Sequence, residues 1–381
     1  MRDIDRFRGC LIGGAAGDAL GYAIEFLSEG TIHSQYGEEG ITEYSLTDGI
    51  AKISDDTQMT LFTANGLLLG TTRGMMRGIM GKYSDYIYVM YKCWLKTQEE
   101  NYPVKPEDRV SWLLNIPELF SRRAPGNACL SALESGNEGT IDEPVNNSKG
   151  CGGVMRAAPI GLYFCDRRMS YADSDRIGAD TAAITHGHEL GYITAACMVH
   201  IVRKVAEEKV PDLKGAVEDA IEAVREQFGG AKHVEELIDL LNLAVELAYS
   251  DVKDVDAIHE LGEGWVAEEA LAIAVFSVLR YESDFDRAIR CAVNHKGDSD
   301  STGAIAGNIL GACIGYEKIP QKYKDHLELR DVILELADDL YNDCQMTEYG
   351  TERDSVWIDK YIEASYPNGF SGRKIRKSDV T

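Results

Sequence analysis

Asp298 and Asp300 stand two residues apart in His295-Lys296-Gly297-Asp298-Ser299-Asp300-Ser301-Thr302-Gly303, with hydroxyls between and after them. A small-residue helical pattern follows at once, from Gly303 to Gly311. A helix start offers unpaired N–H groups and favours negative charge. Asp298, Asp300 and Ser301 can therefore converge on a cation at a helix mouth. A second cluster, Ser54-Asp55-Asp56-Thr57, opens another apolar helical run carrying Met59, Leu61, Phe62, Leu67 and Leu68. Either cluster alone reads as an ordinary N-cap, the role to which Ser, Thr and Asp are best suited. Occurring together, they point to one shared site of oxygen ligands holding two metal ions.

Three further segments bear on that site. Glu25 follows the first predicted helix in the apolar setting Tyr22-Ala23-Ile24-Glu25-Phe26. A lone Glu there is usually solvated, but a loop leaving a helix beside acidic clusters is also where a movable catalytic carboxylate would sit. Asn146-Asn147-Ser148-Lys149-Gly150-Cys151-Gly152-Gly153 has the physics of a phosphate cradle: glycines free the backbone N–H groups, Lys149 adds charge, and a helix is expected behind it from Val154. No GxxxxGK[ST] pattern is present, and composition fits an anion loop and a plain turn equally. His186 and His188 join two predicted helices at spacings that form no zinc motif.

The elements that must position these residues are helical. Residues 5–22 read as a helix with Gly9, Gly13, Gly17 and Gly21 on one ridge, and Gly303, Gly307, Gly311 and Gly315 repeat the pattern. Each helical Gly costs about 1 kcal/mol against Ala, so the ridges need a reason. Either the two helices pack tightly on each other, or both crowd the site centre, or they merely surround a cavity. Further helices are expected at 57–69, 78–97, 170–182, 188–208, 212–228, 233–248, 266–281, 285–294 and 327–342, with 23–53 and 98–108 as connections. Pro125-Gly126-Asn127 reads as a turn into a short helix. No alternating run is long enough for a strand, and no linker divides the chain. Residues 1–350 are thus expected to form one all-α domain. Residues 351–381 form an extension with a short helix near Val356–Ile362 and the basic run Arg373-Lys374-Ile375-Arg376-Lys377.

The formal charge of −24 argues against nucleic-acid partners and anionic membrane surfaces. A phosphate-bearing ligand stays compatible, because bound divalent cations would invert the local field. Nine cysteines without a CxxC pair read as reduced thiols of a cytoplasmic protein. No signal-peptide core is evident, and the longest apolar run is too short to span a bilayer.

Five motifs in order resemble the ADP-ribosylglycohydrolase family, that of the dinitrogenase reductase-activating glycohydrolase and the ADP-ribosylarginine hydrolases. They are Phe7–Gly21 with Gly17-Asp18, Ser54–Thr57, Ser148–Arg156, Thr185-His186 and Gly297–Gly303. The likeness covers about residues 5–345. It implies a single large orthogonal helical bundle with two Mg²⁺ or Mn²⁺ ions held by Ser54, Asp55, Asp56, Asp298, Asp300 and Ser301. Glu25, Asp55, Asp56 and Asp300 would be catalytic. Ser148, Lys149, Gly150, Cys151, Gly152 and Gly153 match the loop around the pyrophosphate, and His186 matches a histidine beside ADP-ribose. Met155 and Asn127 join the substrate-binding set. The implied reaction removes ADP-ribose from a modified protein, most simply at an N-glycosidic bond to arginine. Serine-linked, polymeric or small-metabolite ADP-ribose are alternatives, as is an inactive ADP-ribose-binding relative.

Overall fold

A computed structural model describes residues 2–347 and 353–366. Sixteen α-helices occur among the described residues. They are Ile4–Gly21 (α1), Glu29–Tyr36 (α2), Asp55–Arg77 (α3), Tyr83–Glu99 (α4), Asn127–Glu134 (α5), Ala158–Phe164 (α6), Tyr171–Ala183 (α7) and Glu189–Glu207 (α8). Then come Leu213–Phe228 (α9), Val234–Ala248 (α10), Asp254–Leu261 (α11), Ala267–Arg280 (α12), Phe285–Val293 (α13), Ser299–Ile314 (α14), Arg330–Asn342 (α15) and Ser355–Tyr361 (α16). Only isolated β-bridges accompany them, such as Gly150 with Val266.

Helices α1 and α14 pack antiparallel at the centre through their glycine ridges. Gly9 faces Gly311, Gly13 faces Gly307, Gly17 faces Gly303 and Gly21 faces Ser299. A Cβ built at any of these α1 glycines would fall closer than 3.0 Å to a backbone carbonyl across the interface. The first of the expected alternatives therefore holds: backbone meets backbone, and that approach offsets the poor helix propensity of glycine. Asn308 Nδ2 locks the pair by donating to the Cys10 carbonyl at 2.8 Å.

The remaining helices wrap this pair. Helix α3 runs eight residues past the expected end because Gly66 and Gly70 let α4 settle on it, against Ile87 and Tyr86. Helix α14 begins at Ser299, so Asp300 and Ser301 lie inside its first turn. The short helix α2 falls where a connection was expected, and α11 in a stretch for which no element was expected. The Ser28 side chain caps α2 by accepting from Thr31 N at 3.2 Å. The segment after Gly153 turns before α6 begins at Ala158, so no helix stands directly behind the Ser148–Gly153 loop.

Helix α16 docks on the bundle. Lys360 is buried against the Trp112 ring and reaches Glu335 at 2.6 Å and Asp339. Trp357 Nε1 donates to Thr72 Oγ1 at 2.9 Å. The basic run 373–377 lies outside the described residues.

The ridge contact yields a paired test. Gly17→Ala should destabilise the fold by about 3 kcal/mol or more, because only backbone lies in the way. Gly30→Ala in α2, where nothing lies within 4 Å, should be neutral or mildly stabilising. Thermal unfolding of the two variants measures the contrast.

Candidate active site

Because α1 and α14 run antiparallel, the end of α1 lies beside the start of α14. The turn after Gly21 then delivers Glu25 to the first turn of α14. Carboxylate oxygens of Glu25, Asp298 and Asp300 all lie within 4.8 Å of one another. Asp298 caps α14, its Oδ1 accepting from Ser301 N at 3.3 Å, and Asp300 Oδ1 accepts from the same amide at 3.0 Å. The capping expectation and the convergence of acids are therefore both realised.

Helix α3 is brought to the same place by Asp18. This buried residue of α1 accepts from Ser54 N at 2.9 Å, from Thr57 N at 3.1 Å and from the Thr57 hydroxyl. It seats a carboxylate on the amino end of α3, where the helix dipole favours it. Ser54 Oγ accepts from Asp56 N at 3.2 Å. Across the gap, Ser301 Oγ donates to the Asp56 carboxylate at 2.9 Å. Asp55 takes the Gly126 amide at 3.5 Å, with Asn127 exposed at the start of α5 beside it. The two clusters thus share one neighbourhood, although the tightest triad contains Glu25 in place of Asp55 or Asp56.

The electrostatics are those of acids without a counter-charge. None of the carboxylates of Glu25, Asp55, Asp56, Asp298 and Asp300 pairs with Lys or Arg among the described residues. Burial pushes Glu25 up to about 9, helped by Asp298, Asp55 and Asp18. Asp55, Asp56 and Asp300 are raised well above the usual carboxylate range, first by burial and then by neighbouring acids. Glu25 Oε2 is buried with no hydrogen-bond partner. An all-oxygen, strongly anionic set with a free carboxylate oxygen and two flanking hydroxyls suits a hard divalent cation.

The Ser148–Gly153 loop borders this cluster. Cys151 Sγ donates to Asp298 Oδ2 at 2.7 Å, and Met155 Sδ lies 3.7 Å from Ser301 Oγ. Gly152 is required by close approach: a Cβ there would meet His186 Cε1 at 2.8 Å and Cys129 Sγ at 2.9 Å. His186 is buried behind Gly150 and Gly152, bonded through Nδ1 to Thr185 Oγ1 at 2.9 Å, and pushed down to about 3 by burial and by Arg156. It is a neutral ring. His188, by contrast, caps α8 by accepting from Leu190 N at 3.1 Å. Lys149, expected to lend charge to the loop, is already paired with Glu268.

Sequence reasoning passed over two parts of this site. Asp18 stood in the first motif without a role, which appears once α3 is docked on it. The segment 262–266 carried no motif, yet Glu263 O accepts from Asp298 N at 2.9 Å and Trp265 O accepts from Cys151 N at 3.3 Å. The two glycines either side of Glu263 in Glu260-Leu261-Gly262-Glu263-Gly264-Trp265 were its one visible signal.

Residues 1–350 match the sequence profile of the ADP-ribosylglycohydrolase family. The chain belongs to that family. ADP-ribosylhydrolase ARH3 of Danio rerio is 26% identical over 385 residues, spanning 92% of this chain and 94% of that protein. The ADP-ribosyl-[dinitrogen reductase] glycohydrolase of Rhodospirillum rubrum is also 26% identical, over 86% of this chain and 91% of its own length. An ADP-ribosylglycohydrolase-related protein of known structure aligns with a TM-score of 0.56 at 24% identity, covering 89% of this chain and 98% of the other. That likeness supports the family fold. No helix among the described residues is long and apolar enough to cross a membrane.

The raised carboxylates have a thermodynamic consequence. The folded state holds their protons more tightly than the unfolded chain, where carboxylates titrate near about 4. Stability of the metal-free protein should therefore fall as pH rises from about 4 towards 9. A divalent cation at 100 times its dissociation constant would restore about 2.7 kcal/mol. Unfolding scans at pH 5 and pH 8, with chelator and with Mg²⁺ or Mn²⁺, should show metal stabilisation concentrated at pH 8.

Proposed function

We propose that this chain is a divalent-metal-dependent ADP-ribosylhydrolase that cleaves the N-glycosidic bond between ADP-ribose and an arginine side chain of a modified protein. The observation that carries this reading is the cluster of five acids, Glu25, Asp55, Asp56, Asp298 and Asp300, without a counter-charge, beside a glycine loop in a chain of this family. Ser54, Asp55 and Asp56 on one side, and Asp298, Asp300 and Ser301 on the other, would hold two Mg²⁺ or Mn²⁺ ions. When bound, such ions supply an anchor for ribose hydroxyls and an activated water at the anomeric carbon.

The protein's own groups do the rest. Glycosidic cleavage passes through an oxocarbenium-like state, whose positive charge an acidic site favours electrostatically. Glu25 reaches the cluster with one free oxygen, so it takes or gives the proton at the bond being broken. Residues 148–153 would follow the pyrophosphate, with Met155, Asn127 and the neutral His186 completing the substrate contacts. Lys149 contributes there only by leaving Glu268. Asp18 positions and stays off the substrate. The nine cysteines, all free, suit a reducing cytoplasmic compartment.

A second reading keeps the chemistry and changes the bond. Equal identity to the ARH3 and dinitrogen reductase glycohydrolase relatives favours neither linkage. The deciding assay measures ADP-ribose released from arginine-linked and serine-linked substrates, with Mg²⁺ or Mn²⁺ and with chelator. Metal-dependent release from ADP-ribosylarginine is expected. Asp56→Asn and Asp300→Asn should each lower it more than about 100-fold, beyond the effect of outer-shell changes, while circular dichroism stays unchanged. Release from serine linkages alone would transfer the assignment to the second reading. Binding of ADP-ribose without release in saturating metal would make the chain a binding protein.

A further inference from the structure

The aromatic pair Phe26–Trp265 has no place in the chemistry described so far. Phe26 follows Glu25 directly and has φ +66°, a left-handed conformation unusual for a bulky residue. Its ring is 68% exposed yet lies stacked on Trp265, with centroids 5.5 Å apart and planes 21° from parallel. So exposed a ring gains little from burial, and the stack is what it makes.

The two halves of the stack are held very differently. Trp265 sits on a fixed platform: its own carbonyl accepts from Cys151 N, Glu263 O accepts from Asp298 N, and Ala267 N donates to Lys149 O at 2.8 Å. Glu263 N and Gly264 N both donate to Glu269 Oε2, at 3.0 and 3.2 Å. Phe26 sits on a turn closed by local bonds, Glu25 N to Gly21 O and Leu27 N to Ile24 O. Glu25 carries its carboxylate to within 4.8 Å of those of Asp298 and Asp300, and its Oε2 has no hydrogen-bond partner. That oxygen is not fixed by a hydrogen bond of its own, so its place depends on how the turn is held.

We propose that the Phe26–Trp265 stack is that hold: a positioning contact that clasps the Glu25 turn to the segment already bonded to Asp298 and Cys151. The inference rests on the hydrolase reading for its consequence in turnover. Phe26 and Trp265 act through Glu25 and touch no reacting atom.

The test uses the full chain. Phe26→Ala should lower kcat about 10-fold, the order a lost aromatic stack commands, with KM nearly unchanged, and Phe26→Tyr should restore it. A readout independent of turnover is Mn²⁺ affinity by calorimetry in a double-variant cycle. Phe26→Ala and Glu25→Gln should each weaken Mn²⁺ binding, and the double variant should be no weaker than Glu25→Gln alone, the non-additivity of groups acting as a unit. Additive losses, or a Phe26→Ala variant with wild-type Mn²⁺ affinity, would overturn the clasp. A raised KM with unchanged kcat would also overturn it, by making the pair a substrate platform. Should the wild type release no ADP-ribose, the hydrolase reading fails while the Mn²⁺ cycle still decides the clasp.

Discussion

Carboxylates repel one another, and removing water strengthens the repulsion. A set of five, four buried and Glu25 half-buried, can persist only where the backbone leaves its members nowhere else to go. Here the restraint is the backbone contact of α1 with α14. With glycine backbone against backbone along the seam, the two helices have a fixed separation and register. Gly21 meets Ser299, so Glu25 and Asp300 become neighbours by construction. The same helix offers Asp18 to the amide groups that open α3, which fixes Asp55 and Asp56 opposite. A single helix thereby sets both halves of the acidic site.

Much of this was legible in the sequence because the signals were periodic or chemically costly. A glycine at every fourth position of two helices has few explanations, and close approach was one. Asp pairs at helix starts announced themselves by residue type. What stayed hidden was relational. Asp18 looks like any acid in an apolar stretch until a second helix arrives. Segment 262–266 matters through its carbonyls, which no side chain advertises. Helix α2 was missed because Gly30 and a polar face weaken its periodicity, and α3 runs on past its expected end at 69, with Gly66 and Gly70 as seats for Ile87 and Tyr86.

Lys149 and His186 show where residue type misleads in the other direction. A lysine in a glycine loop reads as charge on offer, but Glu268 has already taken it. A histidine beside a loop reads as a proton carrier, but burial beside Arg156 leaves it neutral. In both cases the decisive partner lies far along the chain, beyond the reach of any local pattern.

The docking of α16 bears on how the protein can be cut. The family match stops at residue 350, a natural place to end a recombinant fragment. Such a cut would remove Lys360, leaving Glu335 and Asp339 without their shared cation. It would also uncover the flank of Trp112 and the hydroxyl of Thr72. The family match ends at residue 350, while the contacts of the bundle run on into α16.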